Sequence, residues 1–162
     1  MEQQLAALAA QLRQLQDMEA IRGLIGRYAI GADRKNDPTI MGPLFAEDGV
    51  WECEGFGRFE GRETIAKALS ETAQKQILWT MHYMVSPTVD LDGDCARGSW
   101  YLWETATVAS TGSEPTSVWC GGTYDATFIR RDERWYFHHV RLNVRLATPF
   151  DQPWGLNPRT GL

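Results

Sequence analysis

Clustered positive charge is what this sequence most clearly lacks. Its 162 residues carry 16 Lys and Arg against 21 Asp and Glu, which gives a formal net charge of −5. The densest basic stretch, Arg130-Arg131 with Arg134, lies around a predicted hairpin turn. Nucleic-acid-binding domains usually carry a basic patch on one face. We therefore expect no nucleic-acid partner and interpret the arginines as a solvated turn.

Cysteine and histidine are also sparse. The three cysteines, Cys53, Cys95 and Cys120, are scattered without C-x-x-C spacing, and the three histidines match no zinc signature. An odd, unpatterned set of cysteines does not make a disulfide framework and is typical of a reducing compartment. We therefore predict buried free thiols, a cytoplasmic location and no metal site.

The sequence has neither a long hydrophobic run nor a nucleotide or nucleophile signature. Its N-terminal Ala/Leu run lacks a preceding basic region and is interrupted by Gln11 and Arg13, so we predict no signal peptide, no membrane span and no membrane partner. Gly55, Gly57 and Gly61 have the wrong spacing for a phosphate-binding loop, and G-x-S-x-G is missing. What remains is acid–base chemistry without a cofactor.

Apolar residues recur with helical spacing through the first part of the chain. They stand three or four positions apart: Leu5, Leu8, Leu12, Leu15, Met18, Ile21, Leu24, Ile25 and Tyr28. The pattern predicts one long helix ending near Asp33, of which residues 1–16 could extend beyond the domain and pack on a neighbouring subunit. Asp37-Pro38 predicts the start of a short helix that runs to about Phe45, and a third helix is predicted from Arg62 to about Lys75.

From residue 77 onward the pattern is that of long strands. Four runs separated by turn signals are predicted: Leu78 to Leu91, Ala96 to Ala109, Ser117 to Arg130 and Trp135 to Leu146. A shorter strand over Val50–Glu54 follows a predicted turn at residues 47–49, and Gly55–Gly61 resembles a hairpin return. We predict a single α+β domain over 1–162, a cone-shaped half-barrel of a strongly curved, mostly antiparallel sheet. Its N-terminal helices should close an apolar pocket.

Residues 148–162 differ in composition from the predicted strands that precede them. Three prolines stop strand pairing there, whereas Phe150, Trp154 and Leu156 need burial. We predict that this tail lies over the pocket mouth or against a neighbouring subunit.

Asp33 is unusually placed for a carboxylate. The C-terminus of a helix carries partial negative charge, so an acidic side chain in the last turn is disfavoured. A residue that local rules disfavour indicates a reason elsewhere in the fold. His82 lies early in the first long strand on the same face as Thr80 and Met84. We infer that Asp33 orients His82 as a general base, although the residues alone favour a core histidine bonded to the backbone.

Aromatic residues supply further candidates. The chain has seven tryptophans, most of which we expect in the core. Trp51, Trp100 and Tyr124 are predicted to contact substrate. Tyr28 lies one and a half helical turns before the predicted orienting carboxylate; its phenol is either a donor to a substrate oxygen or a core residue. Glu104 is expected to be exposed at a strand edge rather than to be a pocket acid.

The last strand offers a cation and two histidines. His138 and His139 face opposite sides, and His139 shares a face with Arg141 and Trp135. If that face is the core, Arg141 is a buried cation that requires an anion, and His139 could contact substrate. A β-bulge would reverse the two faces, which leaves Arg145 as a weaker candidate.

Five stretches in order are similar to one known group. They are Ile30–Lys35, Trp51–Gly57, Met81–Tyr83, Gly121–Tyr124 and Arg130–Trp135. They resemble the SnoaL-like branch of the nuclear-transport-factor-2-like superfamily, which includes scytalone dehydratase, bile-acid 7α-dehydratase and hexachlorocyclohexane dehydrochlorinase. The resemblance covers nearly the whole chain, and among these enzymes the dehydrochlorinase is the most similar in sequence over the short stretches.

The resemblance implies a cone-shaped α+β barrel, often a trimer, with an Asp–His dyad at Asp33 and His82 in which the His removes a proton. Tyr28 occupies a position that is Tyr in the bile-acid enzyme type and Lys in the dehydrochlorinase type, which argues against a halide leaving group. An Arg on the last strand assists the leaving group in relatives; Arg141 is the nearest match, offset by one position. The second His of scytalone dehydratase has no counterpart between residues 96 and 109.

Residues and resemblance together predict a cofactor-independent lyase for a small hydrophobic cyclic or aromatic substrate. Dehydration is the first expectation; carbon–carbon cleavage with formaldehyde release from a lignin-type diaryl compound is also compatible. An isomerase or cyclase of a steroid- or polyketide-like substrate would use the same dyad. A non-catalytic ligand-binding module is a further alternative, because this fold is often reused.

Overall fold

A computed structural model of the chain describes residues 1–110 and 114–154. The helices are α1 (Glu2–Asp33), α2 (Pro38–Met41) and α3 (Arg62–Gln76), and a short 3-10 turn (Gly42–Leu44) follows α2. The strands are β1 (Phe45–Cys53), β2 (Gly57–Glu60), β3 (Ile77–Asp92), β4 (Cys95–Val108), β5 (Thr116–Arg131) and β6 (Arg134–Pro149).

The six strands form one mixed sheet in the order β2-β1-β6-β5-β4-β3. Neighbouring strands are antiparallel except β1 and β6, which are parallel. Because β2 and β3 stand at opposite ends of this order, the sheet is not closed. Helix α1 packs mainly against β3 and also touches β6. The predicted α+β half-barrel, mostly antiparallel and with its helices on one side, is confirmed.

One predicted turn is wrong. Residues 47–49 belong to β1, which begins at Phe45 and pairs with β6 from Phe45 to Cys53. The register shifts between Phe45 and Val50, so an irregular stretch of strand stands where the turn was expected. A Gly-containing acidic segment is compatible with either structure, and pairing with β6 decides between them.

The core lies between α1 and the sheet. Ile21, Leu24 and Tyr28 on one side of α1 are buried, and each large apolar side chain contributes about 1.5–3 kcal/mol when fully buried. Gly31 lets α2 approach closely, because a Cβ there would lie 2.6 Å from the Sδ of Met41. The C-terminal half of α1 is thereby fixed against both the sheet and α2.

The N-terminal half of α1 has no such support. Asp17 is where the helix meets the hairpin between β5 and β6: its Oδ1 accepts from the Trp135 indole N–H at 2.8 Å and from Arg130 at 3.3 Å. Every residue of the segment 1–16 is exposed. The helix therefore projects beyond the rest of the described domain for about 24 Å at 1.5 Å per residue.

The described part of the C-terminal tail lies on the outer face of the sheet, opposite the helices. Trp119 contacts Phe150 and Trp154 with ring centroids 5.8 and 6.0 Å apart, and Trp103 contacts Trp154 at 5.4 Å. This placement corrects the prediction that the tail covers the pocket mouth, as far as residue 154. Contact with a neighbouring subunit stays a prediction, and Leu156 lies outside the described residues.

No disulfide joins the cysteines of the described chain; Cys53 and Cys120 are buried, and Cys95 is exposed at the start of β4. The expectation of buried thiols is therefore wrong for Cys95. Within the described ranges, none of the helices has the length and apolar character needed to cross a membrane.

Candidate active site

Asp33 and His82 meet at the C-terminal end of α1. The Asp33 carboxylate oxygen Oδ1 lies 2.8 Å from the imidazole Nδ1 of His82 and also accepts the backbone N–H of His82 at 2.8 Å. The imidazole is about 10% exposed and the carboxylate about 33%. Two hydrogen bonds to one oxygen hold the ring in a fixed orientation, with Nδ1 protonated toward the carboxylate and Nε2 facing away from it.

A second carboxylate faces that other nitrogen. Glu104 on β4 pairs in register with His82 on β3, and its Oε2 lies 3.5 Å from the imidazole Nε2. Its Oε1 accepts a hydrogen bond from the Thr80 hydroxyl at 2.6 Å, which fixes the carboxylate. The contact of 3.5 Å is longer than a good hydrogen bond, so Nε2 is not tied up by Glu104. His82 thus lies between two carboxylates.

The two carboxylates set the proton affinity of His82. Burial alone would lower the pKa of the imidazole, but the hydrogen bond that it donates to Asp33 and the charges of Glu104 and Asp33 outweigh burial and raise the pKa above its ordinary value. The imidazolium form is therefore favoured more than in a solvated histidine. The same arrangement stabilises a proton that arrives on Nε2 during a reaction.

A phenol cluster occupies the adjacent interior. The indole N–H of Trp51 donates to the Tyr28 hydroxyl oxygen at 2.9 Å. Tyr28 and Tyr124 also share a hydrogen bond, and both bonds of Tyr28 favour its ionised form. Burial nevertheless raises the pKa of Tyr28 to about 12. Since the Trp51 indole N–H can only donate, the Tyr28 oxygen accepts that bond and its own O–H is a donor.

The negative charge of Glu104 acts on both His82 and the phenol cluster. Its negative charge contributes to raising the pKa of His82, Tyr28 and Tyr124, which places all three within its electrostatic reach. It also accepts from the buried thiol of Cys120, whose pKa is raised chiefly by burial. One acidic side chain thus serves as the shared anion of the interior.

The sequence expectation for Glu104 is wrong, because its side chain is only about 13% exposed and points inward. The alternation of residues along β4 indicates this inward position. Trp100, Leu102 and Ala106 alternate with exposed or half-buried neighbours and face the core, and position 104 has the same parity. A carboxylate at a position that the strand pattern turns inward is a candidate for chemistry.

Arg141 and His139 do not reach this interior. A bulge between the Thr127–His139 and Phe128–Phe137 pairs makes His138 an extra residue in β6 and reverses the faces that follow. Val140 therefore faces the core, whereas the Arg141 guanidinium is about 58% exposed and donates to Glu52 at 2.7 Å. This placement corrects two predictions, Arg141 as a catalytic residue and His139 as a substrate contact.

Both of those side chains belong to the outer face. The His139 Nε2 lies 3.0 Å from the Oε1 of Glu52, the oxygen that also accepts from Arg141. The two residues help to line an outer-face cleft of about 580 Å³ together with Arg97 and Asp125. Arg145 is exposed as well, so the last strand supplies no described arginine to the interior.

The remaining aromatic candidates are core residues. Trp100 stacks on Tyr124 with ring centroids 5.2 Å apart, and both side chains are almost fully buried. The Trp100 indole N–H has no hydrogen-bond partner within the described residues. A buried donor without a partner costs about 1–3 kcal/mol, so a ligand oxygen at that point would be stabilised. Substrate contact by Trp51, Trp100 and Tyr124 stays a prediction.

The arrangement of the His, Cys, Asp and Glu side chains can be compared with that of a metal site. Across the ranges 1–110 and 114–154, no group of three or more His, Cys, Asp or Glu side chains is arranged to hold a metal ion. The cluster of Asp33, His82 and Glu104 is instead arranged to hold and move a proton, since both ring nitrogens of the histidine face carboxylates.

An open α+β cone with its first helix packed on a curved mixed sheet defines a nuclear-transport-factor-2-like protein. Within that superfamily the chain belongs to the SnoaL-like domain family, whose model matches residues 13–141. No curated protein sequence matches the chain.

Solved structures show the same fold. A hexachlorocyclohexane dehydrochlorinase (LinA) Type2 is 20% identical, with a TM-score of 0.81 over 89% of this chain and 95% of that one. LinA-type3 from Novosphingobium barchaimii LL02 is 19% identical, with a TM-score of 0.79 over 89% and 97%. A proposed scytalone dehydratase from Novosphingobium aromaticivorans DSM 12444 is 21% identical, with a TM-score of 0.73 over 87% and 92%. At these identities the likeness establishes the fold.

Proposed function

We propose that this protein is a cofactor-independent lyase that removes a proton from a small hydrophobic cyclic or aromatic substrate and eliminates a neighbouring group. The observation that carries the proposal is the arrangement of His82 between Asp33 and Glu104. The names of two structural neighbours, a dehydrochlorinase and a proposed scytalone dehydratase, describe eliminations and support the reaction class.

His82 is the proposed base. In its neutral form the Nδ1 proton is held by Asp33, and Nε2 offers a lone pair toward the interior. Nε2 takes the substrate proton, and the electrons of the broken C–H bond form the new double bond. The imidazolium that results is stabilised by Asp33 on one nitrogen and Glu104 on the other, which lowers the barrier to proton transfer.

The departing oxygen needs both a hydrogen-bond donor and a proton. Tyr28 is the proposed donor, because the bond that its oxygen accepts from Trp51 polarises its hydroxyl. With a pKa near 12 the phenol is a weak acid, so the proton itself is better supplied by the His82 imidazolium. Proton removal and return by one imidazole then release water as the second product.

The interior favours a mostly apolar substrate that carries an oxygen. Buried rings, among them Trp51, Trp100 and Tyr124, make up much of the core that the charge of Glu104 reaches, and they favour a flat or cyclic apolar substrate. The unpartnered Trp100 N–H and the Tyr28 O–H are donors for a hydroxyl, ether or carbonyl oxygen. A dehydration substrate and a diaryl compound that loses formaldehyde both fit this description.

The experiment that tests the proposal is a mass-resolved substrate screen. The purified protein is incubated with hydroxylated aromatic, diaryl and steroid-like compounds, and products are analysed by mass spectrometry. Elimination gives a product lighter by water or by formaldehyde, and His82→Ala protein should not give it. If no compound in these classes is turned over, or if the His82→Ala protein gives the same product, the proposal is wrong.

An isomerase is the second candidate, and Glu104 is the observation that favours it. A carboxylate beside Nε2 can receive a proton from the imidazolium or return one to another substrate carbon, as an isomerisation requires. Product mass separates the two activities: isomerisation leaves it unchanged, whereas elimination lowers it.

A further inference from the structure

An unusual feature outside the candidate site is the exposed leucine stripe, which we define as Leu5, Leu8, Leu12 and Leu15 of α1. All four side chains are more than half exposed, although they are large and apolar. The stripe lies on the part of the helix that projects beyond Asp17, the residue that ties α1 to Trp135 and Arg130. None of it packs on the described domain.

The spacing of the leucines in the stripe indicates a second helix as the partner. Steps of three, four and three residues place the leucines at alternating a and d positions of two heptads, with Leu5 and Leu12 at a and Leu8 and Leu15 at d. A helix whose apolar side chains recur with a seven-residue repeat packs well against a second helix with the same repeat. The side chains of each helix then fit between those of the other. The chain supplies one such partner in every further copy of itself.

The flanking positions agree with self-association. Positions e and g beside the stripe include Gln4, Ala9, Gln11 and Gln16, which carry no charge, so two copies can approach without like-charge repulsion. The first twelve residues contain no Lys or Arg, whereas helices that lie on membranes usually carry basic residues on their polar face.

The stripe also lies mostly outside the part of the chain that the family shares. The family match begins at residue 13, so Leu5, Leu8 and Leu12 precede it. An isolated helix of about 12–15 residues is marginal in water, and packing of its apolar side is the usual source of its stability. The segment 1–16 continues α1 without such packing, since its apolar side is free of the described domain.

We propose that copies of this chain associate through the exposed leucine stripe, which packs helix against helix as a short coiled coil. The association is independent of the proposed chemistry, because the stripe lies at the opposite end of α1 from Asp33. It assigns a role to the N-terminal extension that the enzyme fold itself does not require.

Site-specific disulfide formation tests the contact directly. In a Cys95→Ser background, which removes the exposed native thiol, single Leu8→Cys and Leu12→Cys proteins are oxidised mildly, alone and mixed. The control is Ala10→Cys, at the f position on the opposite side of the helix. Parallel helices link like positions and antiparallel helices link position 8 to position 12, so the mixture detects both arrangements.

We expect the stripe variants to form cross-linked dimers several-fold faster than Ala10→Cys. Amide hydrogen exchange over residues 5–15 should also be several-fold faster in a Leu8→Gln/Leu12→Gln protein than in the unaltered chain, while exchange in the strands is unchanged. Because both readouts are local to the helix, association through another surface would not produce them. Cross-linking no faster than the control, or equal exchange in the two proteins, would overturn the proposal.

Discussion

A single carboxylate oxygen of Asp33 accepts both the backbone N–H and the imidazole Nδ1 of His82, each at 2.8 Å. This double contact accounts for an acidic residue in the last turn of α1, where the helix dipole disfavours it by a few tenths of a kcal/mol. Hydrogen bonds to an ionised group are worth about 1.5–3 kcal/mol each, so the contacts with His82 outweigh the dipole.

The first prediction concerns this pair. Asp33→Asn and His82→Ala should each lower kcat by about 10²–10⁴, because the first removes the charge that stabilises the imidazolium and the second removes the base. Turnover is measured on the substrate that the mass-resolved screen identifies. Asp48→Asn is the matched control, since Asp48 pairs with Arg131 at 2.8 Å on the surface. Near-normal activity in either dyad variant would refute the assignment.

The second prediction concerns the pH dependence of activity. The charge of Glu104 contributes to the raised pKa of His82, and the proposed base must be neutral. Glu104→Gln should therefore lower the pKa of His82 and move the acidic limb of kcat/KM to lower pH. The profile of the unaltered enzyme is the reference. An acidic limb that stays in place would show that Glu104 does not act on the base.

The third prediction follows from the same raised pKa and concerns stability. A histidine whose pKa is raised in the folded state stabilises the fold at pH values below its unfolded pKa of about 6.5. That contribution should be lost as the pH rises through the raised value. Urea unfolding across this pH range should show the loss in the unaltered protein and not in His82→Gln. Equal pH dependence in the two proteins would contradict it.

The fourth prediction concerns the phenol cluster. Tyr28→Phe removes the oxygen that accepts from Trp51 and is bonded to Tyr124, and a buried donor left without a partner costs about 1–3 kcal/mol. The free energy of unfolding measured with urea should fall by at least that amount. Tyr83→Phe is the control, because that side chain is exposed on the outer face and its hydroxyl contacts only the Met81 sulfur at 3.5 Å among the described residues. Equal losses in the two variants would argue against the cluster.

The fifth prediction concerns Arg141, to which the structure and the family resemblance assign different roles. Arg141→Gln should leave kcat almost unchanged, because the guanidinium lies on the outer face and pairs with Glu52. A leaving-group role would instead reduce kcat strongly. His138→Gln, at the neighbouring bulge, serves as a control for changes in the strand itself. A large loss in Arg141→Gln alone would contradict the placement.

The sequence predicted the elements well because their signals are local. Helical spacing and Asp37-Pro38 located the helices, and alternation together with Asp92-Gly93 and the charged turn near Asp132 located the four long strands, whose observed ends differ by three residues or fewer. The family resemblance then brought Asp33 and His82 together. Periodicity alone favoured a structural role for that histidine.

The errors arise where the pairing of strands, rather than the local sequence pattern, determines which face a side chain occupies. Alternation in β6 is broken by one extra residue at His138, and nothing in the sequence marks that bulge, so Arg141 and His139 were assigned to the wrong face. For the tail, whose rings need burial, one of the two expected positions was over the pocket mouth, the other being a neighbouring subunit. It lies instead on Trp103 and Trp119, which strand alternation alone does not reveal as a binding surface.

The contact between Asp33 and the backbone of His82 has a second effect that is unrelated to chemistry. β3 is the last strand of the order, and its free N–H groups form an edge to which another chain could add. Asp33 occupies one of those donors, the backbone N–H of His82, and places a negative charge beside it. The acid that orients the proposed base therefore also blocks the addition of another strand at this point of the edge.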